Sequence, residues 1–306
     1  MLPPVETDEE WDAVVPDEAV MRPGAEDLCA RLGLAGAPLH RFPDGSQPVY
    51  AVGDHHVLKL FPGAAASDGV TEARVLAHVH GRLPVPTPAV RAHGAYENGW
   101  RYVLMSRLRG ENLAHAWDRV PGVDRERVAG RIGETLAALH ALDPAPLAGD
   151  LGPGDWGAFL DRQSAGAVAR QRAHGLPGAW LEQIPDFLAS VPLPRAPAPA
   201  LLHTEPMATH FLTDPDGWPL TGLFDFEPAM IGDPAYDFVA VGLFVTRGDP
   251  ALLARLSASY GAAFAPTTLL AYTLLHTYSN LPWYLRELPT SADTLPALAH
   301  AWFATS

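Results

Sequence analysis

The side chains most able to do chemistry lie in one segment, residues 201–227, which reads LLHTEPMATHFLTDPDGWPLTGLFDFE. An apolar strand is expected to deliver Glu205 into a loop containing His210, and a hairpin around residues 214–217 then returns the chain to Asp225. Phosphoryl transfer uses such a set, because one group orients the attacking hydroxyl while others hold the Mg²⁺ that bridges the nucleotide phosphates. The same residues also suit a plain hairpin beside a structural histidine, so the remaining elements must decide.

A small β-sheet is predicted upstream. Apolar runs separated by Gly, Pro, Asp and Ser predict strands at residues 39–42, 49–52 and 56–61. Lys59 lies in the third strand within VLKLF, and a lysine among apolar neighbours needs an anionic partner. Glu72 is the predicted partner, because an apolar helix face begins near Gly69. A kinase holds its nucleotide in this way, with lysine on the phosphates and glutamate on the lysine.

Two further strands, at residues 89–95 and 101–105, are predicted after a stiff VPTPAV connector. The chain then leaves the sheet through Ser106 and Leu108, where the backbone of a kinase receives the adenine edge. Ser46, in the turn at residues 43–47, could cover the phosphates, although the turn has the composition of any tight turn. The sequence contains neither GxGxxG nor GxxxxGK[ST].

Seven motifs in order carry a resemblance to a known family: VLKLF, TEARVL, LPVPTP, YVLMSRLRGENL, ETLAALHALDP, HTEPMATHFL and DFEPAMIGDPAYDFVAVG. Together they resemble the aminoglycoside phosphotransferase family across residues 35–290. The resemblance implies an α+β, bilobal protein-kinase-like fold, with a small antiparallel β-sheet lobe carrying one helix and a larger, mainly helical lobe. It also implies ATP-dependent O-phosphorylation with Mg²⁺. Residues 47–49, 58–61, 102–108 and 269–276 are most similar to the hygromycin B 7''-O-kinase branch.

The resemblance also assigns roles within the loop. Laid over the family pattern HGDLHPGNLL, the sequence places Thr204 on the glycine, Glu205 on the catalytic aspartate and His210 on the metal-binding asparagine. Glutamate keeps the carboxylate but is one methylene longer, and an imidazole nitrogen suits Mn²⁺ better than Mg²⁺. The resemblance thus implies Glu205 and Asp225 as catalytic residues and His210 and Asp225 as metal ligands. The nucleotide-binding residues it implies are Lys59, Glu72, Ser46, Ser106 and Leu108.

The net charge of the chain limits the classes of molecule that it is expected to bind. The formal net charge is −14, from 35 acidic and 21 basic residues, which repels nucleic acid and anionic membranes and attracts amine-bearing molecules. Acidity for solubility alone would give the same charge. We expect a polar or cationic small-molecule acceptor, with neither nucleic acid nor membrane as partner. The oligomeric state is left open.

Length and cysteine content bear on organisation and compartment. The 306 residues are 48% hydrophobic, enough to build two lobes, predicted at residues 1–108 and 109–306. A single cysteine, Cys29, excludes a disulfide framework within the chain and is typical of a reducing cytoplasm. The acidic beginning, without an apolar stretch, argues against a signal peptide, and the apolar run at residues 238–245 is too short to span a bilayer.

The second lobe is predicted to be helical, with helices at residues 124–142, 156–174, 180–191, 237–246, 251–263 and 267–288. Its last helix concentrates the residues expected to shape the acceptor pocket: Tyr272, His276, Tyr278, Asn280, Trp283, Tyr284 and Glu287. The same spacing also suits a packed helix face. Three functions remain open: a kinase for an aminoglycoside-like or other small polar molecule, a nucleotide-binding pseudokinase, and a kinase of an endogenous sugar or amino alcohol.

Overall fold

The computed structural model describes residues 2–288 and 290–305. The chain divides into two compact units. The first, here called the sheet unit, comprises Met1–Arg82, Pro86–Arg109 and Gly222–Pro228. The second, here called the helical unit, comprises Leu83–Val85, Gly110–Thr221 and Ala229–Ser306.

The sheet unit is built on five antiparallel strands in the order β1-β2-β3-β5-β4. Their bounds are β1 Leu39–Arg41, β2 Val49–Val52, β3 His56–Phe61, β4 Val90–Ala95 and β5 Arg101–Ser106. All five predicted strands are therefore confirmed. Three helices accompany them, α1 Asp8–Val14, α2 Glu18–Arg31 and α3 Ala66–Val79.

Residues 2–38, here called the leader, precede β1 and contribute to the hydrophobic core of the sheet unit. Leu2, Met21 and Leu28 are buried against the sheet residues Leu58 and Leu60, and burial of such side chains is the main force that holds the leader in place. The main chain of the leader is also tied to the sheet, because the indole N–H of Trp100 donates to the carbonyl of Pro3 at 2.7 Å.

The opposite face of the sheet is covered by α3. This helix packs against β3, β4 and β5. Gly69 permits the close approach, since a Cβ there would lie 2.8 Å from the ring of Phe61. Successive β3 side chains point to opposite faces, so Leu58 and Leu60 pack on the leader while Lys59 lies on the face that α3 covers.

The helical unit contains ten helices within its described residues. Their bounds are α4 Leu113–Ala116, α5 Gly122–His140, α6 Trp156–Ala173, α7 Gly178–Leu181, α8 Ile184–Ser190, α9 Asp237–Val241, α10 Pro250–Tyr260, α11 Pro266–Leu275, α12 Leu281–Glu287 and α13 Leu295–Phe303. Five short strands form two small sheets, ordered β6-β8-β9 and β10-β7, and the last two residues of β9 are those with which the sheet unit resumes. These strands are β6 Glu111–Asn112, β7 Ala200–Leu202, β8 Phe211–Thr213, β9 Leu220–Leu223 and β10 Met230–Gly232.

Three of the predicted helices differ from the observed ones. The helix expected at residues 180–191 is interrupted between α7 and α8, where Pro185 begins a new helix. The helix expected at residues 267–288 is interrupted between α11 and α12, where the Asn280 side chain caps α12 by accepting from the Trp283 amide at 3.1 Å. The helix expected at residues 237–246 is α-helical only to Val241 and continues as a π-helical segment, Gly242–Thr246.

Within residues 2–288 and 290–305, no helix combines the length and apolar character needed to cross a membrane.

Candidate active site

A buried lysine surrounded by three carboxylates is the principal charged cluster of the sheet unit. The Nζ atom of Lys59 lies 3.2 Å from Glu72 Oε2 and 2.6 Å from Glu227 Oε2, and it also contacts Asp225 Oδ1. The predicted ion pair of Lys59 with Glu72 is therefore present. One ligand atom from each carboxylate lies within 4.8 Å of the others. We call these four residues the Lys59 cluster.

The Lys59 cluster has more negative than positive charge in a place with little water. Burial alone would lower the pKa of Lys59, but Asp225, Glu72 and Glu227 together raise it well above its ordinary value, so the ammonium stays charged. Burial raises the pKa of Glu72, opposed by Lys59, and burial is also the main cause that raises the pKa of Glu227 to about 7. A further cation near the three carboxylates would therefore be favoured.

The chain segment after β9 brings two of these carboxylates to the lysine. Asp225 has a φ of 73°, a left-handed conformation that aspartate tolerates better than most residues. Phe226, fully buried, anchors the segment, and its amide donates to Glu72 Oε1 at 3.4 Å. Alternate residues of this segment thus face the lysine and the core.

The remaining predicted nucleotide-binding residues lie at the turn and at the exit of the sheet. Ser46 is exposed in the turn between β1 and β2. Ser106 ends β5, where its amide donates to the Ala89 carbonyl at 2.9 Å and its Oγ accepts from the Ala89 amide at 2.8 Å. Leu108 lies beyond the strand and is half-buried. The Ser106 amide is therefore already bonded to Ala89. Leu108 lies two residues beyond the end of β5.

In the helical unit, a buried aspartate fixes the backbone of the loop after β7. Asp237, fully buried, accepts from the amides of His203 at 2.9 Å and Thr204 at 2.7 Å. His140 on α5 donates from Nε2 to the same carboxylate, at 3.0 Å. These bonds give Asp237 a structural role, because they fix the backbone just before Glu205.

Thr204 adopts a conformation that is unusual for a β-branched residue. Its φ is 75°, and it is buried. This position corresponds to the glycine of the family pattern, so the chain keeps the left-handed backbone without the residue that adopts it most easily. Strain of this kind costs on the order of 1–3 kcal/mol and persists where surrounding contacts impose it, here the bonds to Asp237.

Glu205 and His210 are held together by the turn of this loop. The Glu205 carbonyl is 2.6 Å from His210 Nδ1 and accepts from the Met207 amide at 2.7 Å. His210 is buried, and its ring is stacked on His203 with centroids 5.8 Å apart. With Nδ1 as the donor, Nε2 is the acceptor nitrogen of the neutral ring. His210 therefore closes the loop that presents Glu205.

Glu205 lies in the wall of a pocket of about 360 Å³ within the helical unit. The other lining residues are Met207, Val239, Ala240, Phe244, His276, Tyr278, Asn280, Trp283 and Tyr284. Five of the seven residues that the sequence proposed for an acceptor pocket are among them. Tyr272 is instead buried, with its hydroxyl donating to Asp233 at 2.6 Å, and Glu287 lies outside this lining.

His276 is a neutral, fully engaged member of this wall. Its Nε2 donates to the Thr204 carbonyl at 3.2 Å, and its Nδ1 accepts from the Tyr278 amide at 3.3 Å. Burial lowers the pKa of His276 to about 4. The imidazole thus connects the loop before Glu205 to the segment that carries the aromatic side of the pocket.

The depressed pKa of His276 predicts a loss of stability in acid. The unfolded chain takes up a proton near pH 6.5, whereas the folded chain does so only near 4, so the stabilisation is complete above about 6.5 and is lost as the pH falls towards 4. We expect the free energy of unfolding to fall by up to about 3 kcal/mol from this group. Urea unfolding of the native chain and of His276→Phe across this range measures the effect. Parallel pH curves would contradict it.

Sequence reasoning missed two contributors to these sites. His140 lies in the ETLAALHALDP motif, but only the fold brings it from α5 to Asp237. Phe244 lies in an apolar run that reads as a packed helix, and the change to a π-helical segment at Gly242 could not be read from that run. A histidine at the end of an otherwise apolar helix face was a signal for the role of His140. No comparable signal marked Phe244.

Comparison with known proteins places these features in context. A sequence model of the phosphotransferase enzyme family matches residues 38–272. Among curated proteins, the lysine-specific demethylase JMJ21 of Arabidopsis thaliana is 24% identical over 202 residues, 53% of this chain. The match spans only 21% of that relative's length.

Solved structures of phosphotransferases are similar over most of the chain. The GDP complex of wild-type aminoglycoside 2'-phosphotransferase-IIIa has a TM-score of 0.71 and 18% identity, covering 92% of this chain and 96% of that one. The macrolide 2'-phosphotransferase MphH of Brachybacterium faecium has a TM-score of 0.64 and 21% identity, covering 91% and 97%. The streptomycin-ATP-APH(2")-IIa ternary complex has a TM-score of 0.60 and 15% identity, covering 91% and 97%. The predicted protein-kinase-like α+β fold is thereby confirmed.

Proposed function

Because the chain belongs to the phosphotransferase enzyme family, we propose that it transfers the γ-phosphoryl group of ATP to a hydroxyl group of a small molecule. The family membership agrees with the enzyme class that the sequence predicted, a small-molecule kinase. The observation that carries the proposal is the Lys59 cluster, in which a buried ammonium is fixed by Glu72 and faces two further carboxylates. Such a lysine is suited to nucleotide phosphates, which it would bind as a fixed positive charge.

The carboxylates of the Lys59 cluster fit a divalent cation. Their donors are all oxygen atoms, which Mg²⁺ prefers, and the pKa values of Glu72 and Glu227 are raised mainly by burial and further by the neighbouring carboxylates, a cost that a bound cation would reduce. Asp225 and Glu227 would hold the ion, while Glu72 keeps Lys59 in place. A bound Mg²⁺ neutralises charge on the phosphates. Within the helical unit, the sequence-based prediction that His210 is a metal ligand is retained as a proposal, with Nε2, the nitrogen that does not face the Glu205 carbonyl, as the ligand atom. Such an imidazole ligand would make Mn²⁺ effective.

Glu205 is proposed as the residue that orients and deprotonates the acceptor hydroxyl. Its carboxylate belongs to a pocket wall, and its backbone is fixed by His210 and by the Asp237 bonds to the two preceding amides. A rigid loop of this kind can place the longer glutamate side chain as reproducibly as an aspartate. Adenine recognition is proposed for the backbone at Leu108 and at Ser106, apart from the Ser106 amide, which is bonded to Ala89, and phosphate cover is proposed for Ser46.

The acceptor is proposed to be a small molecule that bears at least one hydroxyl group. Aminoglycosides are candidates because the sequence resembles their kinases and the formal net charge is −14. The hygromycin B 7''-O-kinase branch is the most similar within that resemblance, and endogenous sugars and amino alcohols are further candidates. The single cysteine supports action in the cytoplasm.

A nucleotide-binding pseudokinase is a second candidate. The observation in its favour is that His210, at a position where the family has a metal-binding asparagine, uses Nδ1 to hold the Glu205 carbonyl. In that function the Lys59 cluster binds ATP, and the loop no longer supports transfer.

One experiment separates these functions. Purified protein, ATP and either Mg²⁺ or Mn²⁺ are incubated with a panel of aminoglycosides, sugars and amino alcohols, and ADP release and phosphorylated products are measured together. We expect product with at least one acceptor, and Mn²⁺ at least as effective as Mg²⁺. ATP binding by calorimetry without any phosphorylated product would favour the pseudokinase, and absence of ATP binding would refute both functions.

A further inference from the structure

The pocket that contains Glu205 carries little charge. Of its ten lining residues, Glu205 is the one acidic residue, and His276 is kept neutral because burial lowers its pKa to about 4. An acceptor with several ammonium groups would therefore find a single carboxylate in this wall, and that carboxylate is the one proposed to receive the hydroxyl proton. Each additional unpaired ammonium would have to lose water without gaining a partner, which is unfavourable.

Three further lining residues form a group of aromatic rings. Phe244 and Trp283 have ring centroids 5.7 Å apart, and Tyr284 lies 5.9 Å from Phe244. Between residues 235 and 246, Phe244 is the one residue that is not buried, and it lies in the π-helical segment. Single π-helical turns occur often at functional sites. Here the segment places a ring in the pocket wall while its neighbours stay in the core.

The edge of the pocket carries a large exposed ring. Tyr278 is 56% exposed, and among the described residues the only other large hydrophobic side chain so exposed is Val123. The Tyr278 backbone is fixed, because its carbonyl accepts from the Tyr284 hydroxyl at 3.2 Å and its amide donates to His276. A ring held at this position can cover an apolar ligand that enters the pocket.

The pocket is small. At about 360 Å³, it lies near the lower end of the range for small-molecule sites. A volume of this size suits one ring with short substituents, or one ring of a larger acceptor.

From these features we infer that the acceptor is an amphipathic alcohol, with one hydroxyl directed at Glu205, an apolar or aromatic body against Phe244 and Trp283, and at most one positive charge. The inference rests on the proposed function and narrows its acceptor class away from polycationic aminoglycosides. A single alkylated ammonium group remains compatible, because aromatic faces attract cations.

Calorimetric binding tests the inference without relying on turnover. The probes are 2-(benzylamino)ethanol, which has one amine and an aromatic body, and 2-deoxystreptamine, an aminocyclitol of similar size with two amines and no apolar face. Kanamycin serves as a larger polycation. We expect 2-(benzylamino)ethanol to bind about tenfold more tightly than either polycation at physiological salt.

Variants of Trp283 assign the binding to this pocket. Trp283→Ala is expected to weaken 2-(benzylamino)ethanol binding about tenfold, whereas Trp283→Phe, which keeps an aromatic face, retains most of it. Thermal unfolding of both variants checks that the fold is kept. Tighter binding of the polycations, absence of 2-(benzylamino)ethanol binding at millimolar concentration, or equal binding by the two variants would each overturn the inference. Efficient phosphorylation of polycations would overturn the inference and leave the proposed function intact, whereas the expected binding without any transfer would contradict the proposed function alone.

Discussion

Glu205→Gln is expected to lower kcat for the phosphorylated acceptor by about 10²–10⁴-fold while leaving ATP affinity within a factor of about two. Glutamine keeps the size of the side chain and its place in the pocket wall, but it cannot accept the hydroxyl proton. The backbone bonds that fix this residue, from His210 and Met207 to its carbonyl, do not depend on the carboxylate, so the loop should keep its conformation. Steady-state kinetics with the best acceptor and calorimetry with ATP measure the two effects.

Glu205→Asp is the matched control for this prediction. It retains the carboxylate but shortens it by one methylene, so we expect activity between those of the native chain and the glutamine variant, because a displacement of about 1 Å can cost on the order of a hundredfold. If the glutamine variant turned over as fast as the native chain, Glu205 would have no role in proton transfer. If the native chain were inactive and Glu205→Asp with His210→Asn became active, the pseudokinase would be the correct function.

The sequence predicted the sheet unit more accurately than the helical unit, for physical reasons. Strands β2 and β3 are short and separated by turns such as Gly53 and Asp54, which leave few alternatives for their bounds. The helix predicted at residues 267–288 has apolar residues on both sides of a polar run at residues 276–280, and the prediction followed the apolar residues rather than that run and Pro282. The cap at Asn280 decides that break, and a cap bond depends on local geometry that a periodic pattern does not contain.

The sequence predicted the part of the candidate site in which a buried charged side chain needs a partner of opposite charge. Lys59 in an apolar strand required a carboxylate, and Glu72 was the acid on the next helix face. The same reasoning left open how closely Glu227 would approach the lysine, because that distance depends on the left-handed conformation of Asp225. The role of His210 in holding the Glu205 carbonyl was also not predictable, since it follows from the turn that the loop makes.

Lys59→Met is expected to abolish phosphoryl transfer, to weaken ATP binding by at least about tenfold, and to destabilise the sheet unit. From the sequence alone, Lys59→Ala is expected to weaken ATP binding and abolish transfer while leaving the fold intact. The structure leads to a different expectation, because Glu72, Asp225 and Glu227 would share a buried site without a counter-charge. Breaking such a buried ion pair costs about 3–5 kcal/mol. Urea unfolding measures this cost.

The dependence on pH and Mg²⁺ identifies the source of that cost. Removal of Lys59 should destabilise the protein most where the carboxylates are ionised. Because the pKa of Glu227 is about 7, the decrease in the free energy of unfolding should be largest well above pH 7 and smaller near pH 5. Added Mg²⁺ should restore more stability to Lys59→Met than it gives the native chain, because the ion supplies the missing positive charge. The double variant Lys59→Met, Glu72→Gln should be more stable than Lys59→Met, since one buried carboxylate is gone.

Equal losses at both pH values, no response to Mg²⁺ and no recovery in the double variant would show that the lysine contributes packing rather than charge. Unchanged ATP affinity would remove the nucleotide-binding role of the cluster, because its one cation could then have no part in holding the phosphates.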